Sequence, residues 1–167
     1  MFSSSTHKAT PLAAFILAAA LTTPGGTVAS AGNPFDQLSG DWKGGGTVTP
    51  ADGQPKAMSC KATYKVESNN MSLKLGCAGN DYEINASLKL TYKGGKIKGA
   101  WNESTYDANG AVTGTAKDNT IHARITGDKF SGRMSIIVSA GRHSINIMQL
   151  NDKSGTYRLA TNLSLRR

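Results

Sequence analysis

The sequence is short of cysteine, proline, tryptophan and acidic side chains, and each shortage excludes something. Two cysteines among 167 residues, without a C-x-x-C spacing, argue against a zinc ribbon or a thioredoxin-like redox pair. Five prolines and a charged fraction of 18% do not describe a disordered chain. Eleven acids stand against nineteen Lys and Arg, for a formal charge of +8. The longest apolar run, residues 12–21, is ten residues. A membrane-spanning helix needs about 20, so no transmembrane segment is expected. Helical periodicity is also missing, and nineteen glycines favour tightly turned β structure.

Residues 1–31 are ordered like an export signal. A start with Lys8 and no acid precedes the apolar run; the breaker Thr22-Thr23-Pro24-Gly25-Gly26 and the small-residue site Ala29-Ser30-Ala31 follow. We expect this segment to be cleaved, leaving residues 32–167 as one domain in a periplasm or outside the cell.

Beyond residue 40 the pattern is alternation. Met58, Cys60, Ala62, Tyr64 and Val66 share one face, and Ser59, Lys61, Thr63, Lys65 and Glu67 the other. Equivalent apolar faces run through Trp42–Val48, Met71–Cys77, Tyr82–Tyr92, Ile97–Trp101, Val112–Ala116, Ile121–Ile125, Phe130–Val138, His143–Ile147 and Leu159–Leu165, which makes ten strands. Turn dipeptides separate most of them: Ser68-Asn69, Gly79-Asn80, Gly94-Gly95, Asn109-Gly110, Asp118-Asn119, Gly127-Asp128 and Ala140-Gly141.

Each turn implies a register. Glu67 against Asn70 sets Tyr64 opposite Leu73 and Cys60 opposite Cys77; Lys93 against Lys96 sets Leu88 opposite Trp101. Lys117 against Thr120 sets Val112 opposite Ile125, and Thr126 against Lys129 sets Ile125 opposite Phe130. A slip of one residue would turn an apolar face outward. Cys60 and Cys77 fall on a non-hydrogen-bonded pair, where Cα atoms lie about 4.5 Å apart, close enough for a disulfide staple. The fold expected is all-β: an antiparallel up-and-down barrel of about ten strands, with a β-sandwich as the alternative. Inward glycines at 44, 46, 99, 114 and 132 suit strong curvature, or leave internal space.

The lead into the first strand, Phe35-Asp36-Gln37-Leu38-Ser39-Gly40-Asp41-Trp42, resembles the opening of the calycins, the superfamily of lipocalins, avidins and fatty-acid-binding proteins. The resemblance implies that Trp42 closes one barrel end beside an arginine of the last strand, a part that Arg167 can take. The lipocalin Thr-Asp-Tyr loop is missing, and two tryptophans do not make an avidin-like biotin site. A further relative, the small exported barrel that inhibits metalloproteases, inserts its N-terminal segment into the enzyme. Gly32-Asn33-Pro34-Phe35 is the matching segment.

Catalytic signals are weak. His122 and His143 fall on opposite faces and cannot chelate one metal. No Gly-x-Ser-x-Gly elbow is present. Glu103 and Asp107 share the face of Trp101 if the chain turns at Asn109-Gly110, either as a polar patch at a mouth or displaced outward by a bulge. Their spacing alone would also allow a glycosidase pair. Lys61, Lys65, Lys74, Lys89, Lys93, Lys96, Lys98, Arg124, Arg133 and Arg142 all point outward, where they could meet anionic surfaces; outward stacking aromatics for nucleic acid are absent.

The sequence therefore predicts a non-enzymatic barrel without metal or cofactor. Its interior would hold a small apolar or amphipathic ligand among Tyr64, Leu73, Ile84, Leu88, Trp101, Glu103, Asp107, Phe130, Met134, His143 and Ile147. The alternative is a module that binds an envelope protein, such as a protease or lysozyme inhibitor.

Overall fold

A computed structural model describes residues 32–50 and 53–167. The export signal expected over residues 1–31 lies outside the described residues. After a 3-10 turn at Asp36–Leu38 come ten strands: β1 Gly40–Val48, β2 Lys56–Glu67, β3 Asn70–Ala78, β4 Glu83–Lys93, β5 Lys96–Glu103, β6 Ala108–Lys117, β7 Thr120–Gly127, β8 Gly132–Ser139, β9 Arg142–Leu150 and β10 Tyr157–Arg166. Every strand pairs antiparallel with its sequence neighbours, and β1 pairs with β10 to close the sheet. The fold is thus the closed up-and-down barrel, and the sandwich is set aside. Closure leaves no free edge and lets the alternating apolar faces bury one another.

The two-residue turns act as the sequence suggests at one end of the barrel. Glu67 pairs with Asn70, Lys93 with Lys96, Lys117 with Thr120 and Ser139 with Arg142. Gly94 and Gly95 both carry positive φ, 56° and 79°, as a tight hairpin demands. Cys60 lies opposite Cys77 with Cα atoms 4.1 Å apart, and the disulfide is formed.

At the other end the connections are longer, and three turn readings need correction. Asn109-Gly110 is not a turn; it lies inside β6, and the chain reverses over residues 104–107. The reason is a side-chain clasp: the Glu103 carboxylate accepts the backbone N–H groups of Thr105 and Tyr106 at 3.1 and 2.7 Å. The Gly127-Asp128 reversal extends to residue 131, so Ile125 faces Gly132 rather than Phe130. That shift is even, and the inward set is preserved. Gly79-Asn80 likewise belongs to a four-residue connection, with Ala78 opposite Glu83. On β10 a bulge between Leu159 and Thr161 turns Leu159 outward, 47% exposed, and Ala160 inward.

The inward glycines serve curvature. A Cβ on Gly44 would overlap the Ser164 carbonyl oxygen, on Gly46 that of Asn162, on Gly99 that of Lys89 and on Gly114 that of His122. Neighbouring strands coil across these positions too closely for any side chain.

Candidate functional site: the open mouth of the barrel

The barrel has two unlike ends because its connections differ. Two-residue turns gather one end, and the N-terminal segment seals it. Phe35 and Leu38 are fully buried there, and Phe35 meets Tyr92 edge-on, ring centroids 6.1 Å apart. Trp42 donates its indole N–H to the Leu38 carbonyl at 2.6 Å. The Arg167 guanidinium lies 4.5 Å above the Trp42 ring and donates to the Gln37 carbonyl. Asn33 donates to the Ser68 carbonyl at 2.5 Å, and Pro34 is buried. The Gly32–Phe35 lead is therefore folded under the barrel as its floor, not projecting as an inhibitory arm.

Above this floor the interior is packed. Tyr64, Met71, Leu90, Ile97, Val112, Ile121, Ile136, Leu163 and Leu165 are all buried. His143 sits among them, 2% exposed, its ring edge-on to Trp42 at 4.5 Å and to Tyr64 at 5.3 Å. Among the described residues, neither imidazole nitrogen nor the Tyr64 hydroxyl has a hydrogen-bond partner. Burial, reinforced by the Arg167 charge, pushes the His143 pKa down to about 4. Burial moves the Tyr64 hydroxyl well above the usual phenol range. His143 is thus a neutral core residue at the closed end and does not face a ligand space.

At the opposite end the inward side chains change character. Leu73, Leu88 and Met134 form a buried middle layer. Beyond them Leu75, Ile84, Ala86, Trp101 and Ile147 point inward by register, and Phe130 packs against the core from the connection before β8, yet all six are only half-buried. Inward residues can meet water only through an open mouth. Trp101 and Phe130 pack edge-to-face at 5.9 Å, and the Trp101 N–H reaches the Thr126 carbonyl at 3.3 Å. Tyr82 and Tyr106 lie together at 5.5 Å on the adjoining rim. Burial, then the neighbouring Tyr106, raises the Tyr82 pKa to about 12.

The polar groups at this rim fall into two classes. Glu103 is buried, and its carboxylate also accepts the Asn85 N–H at 2.8 Å. Burial pushes its pKa upward, but the hydrogen bonds from Asn85, Tyr106 and Thr105 outweigh that and leave it lowered. It holds the 104–107 turn rather than a ligand. Asp107 is outside the barrel, its side chain 95% exposed and 3.6 Å from Lys129, because the chain has already reversed. It is removed from the lumen set, and the two carboxylates form no catalytic pair.

The second class escaped sequence reasoning. Arg158 donates to the Thr49 carbonyl at 2.6 Å and to the Gln149 side-chain oxygen, both groups part-buried. Arg158 lies opposite Gln149 on the face that carries Ile147. Alternation counted back from Leu163 put it outside, because the β10 bulge inverts the parity. Tyr82, Leu75 and Ala86 were legible as inward positions; Tyr106 lies in the turn that was misread.

No family model and no curated protein matches the sequence. Several solved structures share the fold, among them these three. Rv2717c from M. tuberculosis superposes with a TM-score of 0.65 at 10% identity, over 83% of this chain and 99% of that one. The S-type phycobiliprotein lyase CPES from Guillardia theta gives 0.54 at 16% identity, over 80% and 90%. A DUF3598-family protein of unknown function from Nostoc punctiforme gives 0.52 at 15% identity, over 80% of this chain but 48% of that one. At such identities the likeness concerns architecture alone, that of the barrel.

Proposed function

We propose that the protein is a non-enzymatic binding barrel that takes a small apolar or amphipathic ligand into its open mouth. The observation that carries this reading is the contrast between the two halves of the interior. Apart from half-buried Val66 and Tyr92 beside the floor, the inward apolar side chains of the closed half are buried, whereas Ile84, Trp101, Phe130 and Ile147 remain half-exposed beside a rim of Tyr82, Tyr106 and Arg158. Half-exposed apolar surface in a concave site lowers its free energy by covering itself, at about 25 cal/mol per Å² removed from water. The Arg158 guanidinium suits an anionic or strongly polar head group held above the apolar wall.

A binding role is favoured over catalysis because the inward titratable groups are committed elsewhere. His143 is walled into the closed end, and Glu103 spends its oxygens on backbone N–H groups. The Cys60–Cys77 disulfide suits an oxidising compartment, in keeping with an exported protein. One protein of the same architecture is named a phycobiliprotein lyase. Native mass spectrometry of protein purified from its own host tests the reading. A retained small molecule, lost when Ile147→Arg fills the mouth, is expected; bare protein in both cases, together with a co-purifying protein partner, would overturn it.

A further inference from the structure

Barrel closure brings together charges that are far apart in the chain. Lys61 on β2 lies directly opposite Lys43 on β1, Lys43 opposite Arg166 on β10, and Arg166 opposite Arg142 on β9. All four side chains are exposed on the outer face. They form one row across four adjacent strands, with a cation on every strand. Like charges directly opposite one another destabilise a sheet. The row is nonetheless unrelieved: among the described residues the ion pairs are Lys56–Asp81 and Lys129–Asp107, neither of which includes a member of it. Asp41, two positions from Lys43 on the same strand, accepts the Thr63 hydroxyl at 2.6 Å.

The next row is built of small residues. Ser59 faces Gly45, Gly45 faces Ser164, and Ser164 faces Ser144. The step from long cations to glycine and serine leaves a groove of about 450 Å³, lined by Gly45, Ser59, Ser164, Arg142 and Arg166 among others. It presents guanidinium forks beside hydroxyl donors, the combination that holds a phosphate oxygen array.

We propose that this row and groove form a binding site for a flexible phosphodiester polymer without bases, such as a polyol-phosphate chain. The spacing supports a linear anion: strands lie about 4.8 Å apart, so the four cations follow one another along about 14 Å. Curvature argues against a membrane. Four of the ten strands of a closed barrel cover more than a third of its circumference, and a flat lipid surface cannot touch the whole row. A nucleic acid would also need stacking surfaces for its bases; the row and its groove offer none. This site is on the outer wall and is independent of the mouth.

The test is fluorescence anisotropy of a labelled synthetic glycerol-phosphate oligomer with the full chain, as a function of NaCl. Four phosphate contacts on a single-stranded polyanion give a log–log salt slope of about −2.8, or about 50-fold weaker binding between 50 and 200 mM. The double variant Arg142→Gln, Arg166→Gln should halve the slope. Lys93→Gln, Lys96→Gln, which removes equal charge from an exposed hairpin, should leave it unchanged. Circular dichroism confirms that both variants are folded. Equal losses in the two double variants would reduce the effect to net charge and overturn the proposal. So would an oligo(dT) of equal charge, or vesicles with anionic lipid, binding as tightly and with the same dependence on Arg142 and Arg166.

Discussion

Protonation of His143 offers a quantitative handle on the closed end of the barrel. In the unfolded chain this imidazole titrates near 6.5; in the folded protein, burial first and the Arg167 charge second lower that to about 4. The unfolded state therefore binds the proton more readily, and stability is greatest above pH 6.5 and falls as the pH drops toward 4. A difference of about 2.5 units at 1.36 kcal/mol each amounts to about 3 kcal/mol lost across that window. Glu103 acts separately. Its lowered folded pKa supplies stability above the ordinary carboxylate range that is lost only at lower pH. Urea unfolding at pH 7, 5.5 and 4.5, on wild type and His143→Phe, isolates the histidine. The ring nitrogens lack partners, so the phenyl ring should be near neutral or stabilising at pH 7, and the fall between pH 6.5 and 4.5 should vanish. An acid limb of equal size in the variant, or a flat wild-type profile, would refute the placement of a neutral, unpartnered His143 in the core.

Other perturbations test the remaining parts of the structure. Trp42→Ala removes the fully buried closure of the sealed end and should cost about 3–5 kcal/mol in chemical denaturation; a nearly unchanged melt would mean that the floor contributes little. Reducing Cys60–Cys77, 17 residues apart, should cost about 3 kcal/mol by the chain-entropy relation, read as a drop in melting temperature with reductant. Gly44→Ala drives a methyl group into the Ser164 carbonyl and should cost about 1–3 kcal/mol, whereas at Gly76 a Cβ meets only the Asn85 side chain at 3.6 Å and the change should stay within about 0.5 kcal/mol.

Much of the barrel is legible in the sequence because alternation assigns faces and two-residue turns assign registers together. Tyr64 against Leu73, Leu88 against Trp101 and Cys60 against Cys77 follow from that alone. The mouth is less legible, for a physical reason. Its turns are held by side chains, as Glu103 holds residues 104–107, and no dipeptide announces them. One bulge at Leu159/Thr161 reverses the parity that would have placed Arg158 outside, and so brings it to the inner face. The row Lys61, Lys43, Arg166, Arg142 depends on β1 meeting β10, two strands that no turn connects. A pairing without a connecting turn has a register that only packing of the whole barrel decides.

The central claim is that the half-exposed apolar mouth takes a ligand, and Trp101 reports on it directly. In a Trp42→Phe background, confirmed as folded by its melt, Trp101 is the remaining fluorophore of its kind. Titration with fatty acids, isoprenoid lipids and aromatic probes should change its emission with a Kd below about 100 μM, a free energy of about −5.5 kcal/mol. Ile147→Arg should abolish the response while leaving the fold intact. If none of these ligands changes the Trp101 signal in that range, or if Ile147→Arg leaves the response untouched, the mouth is not a binding site and the account is contradicted.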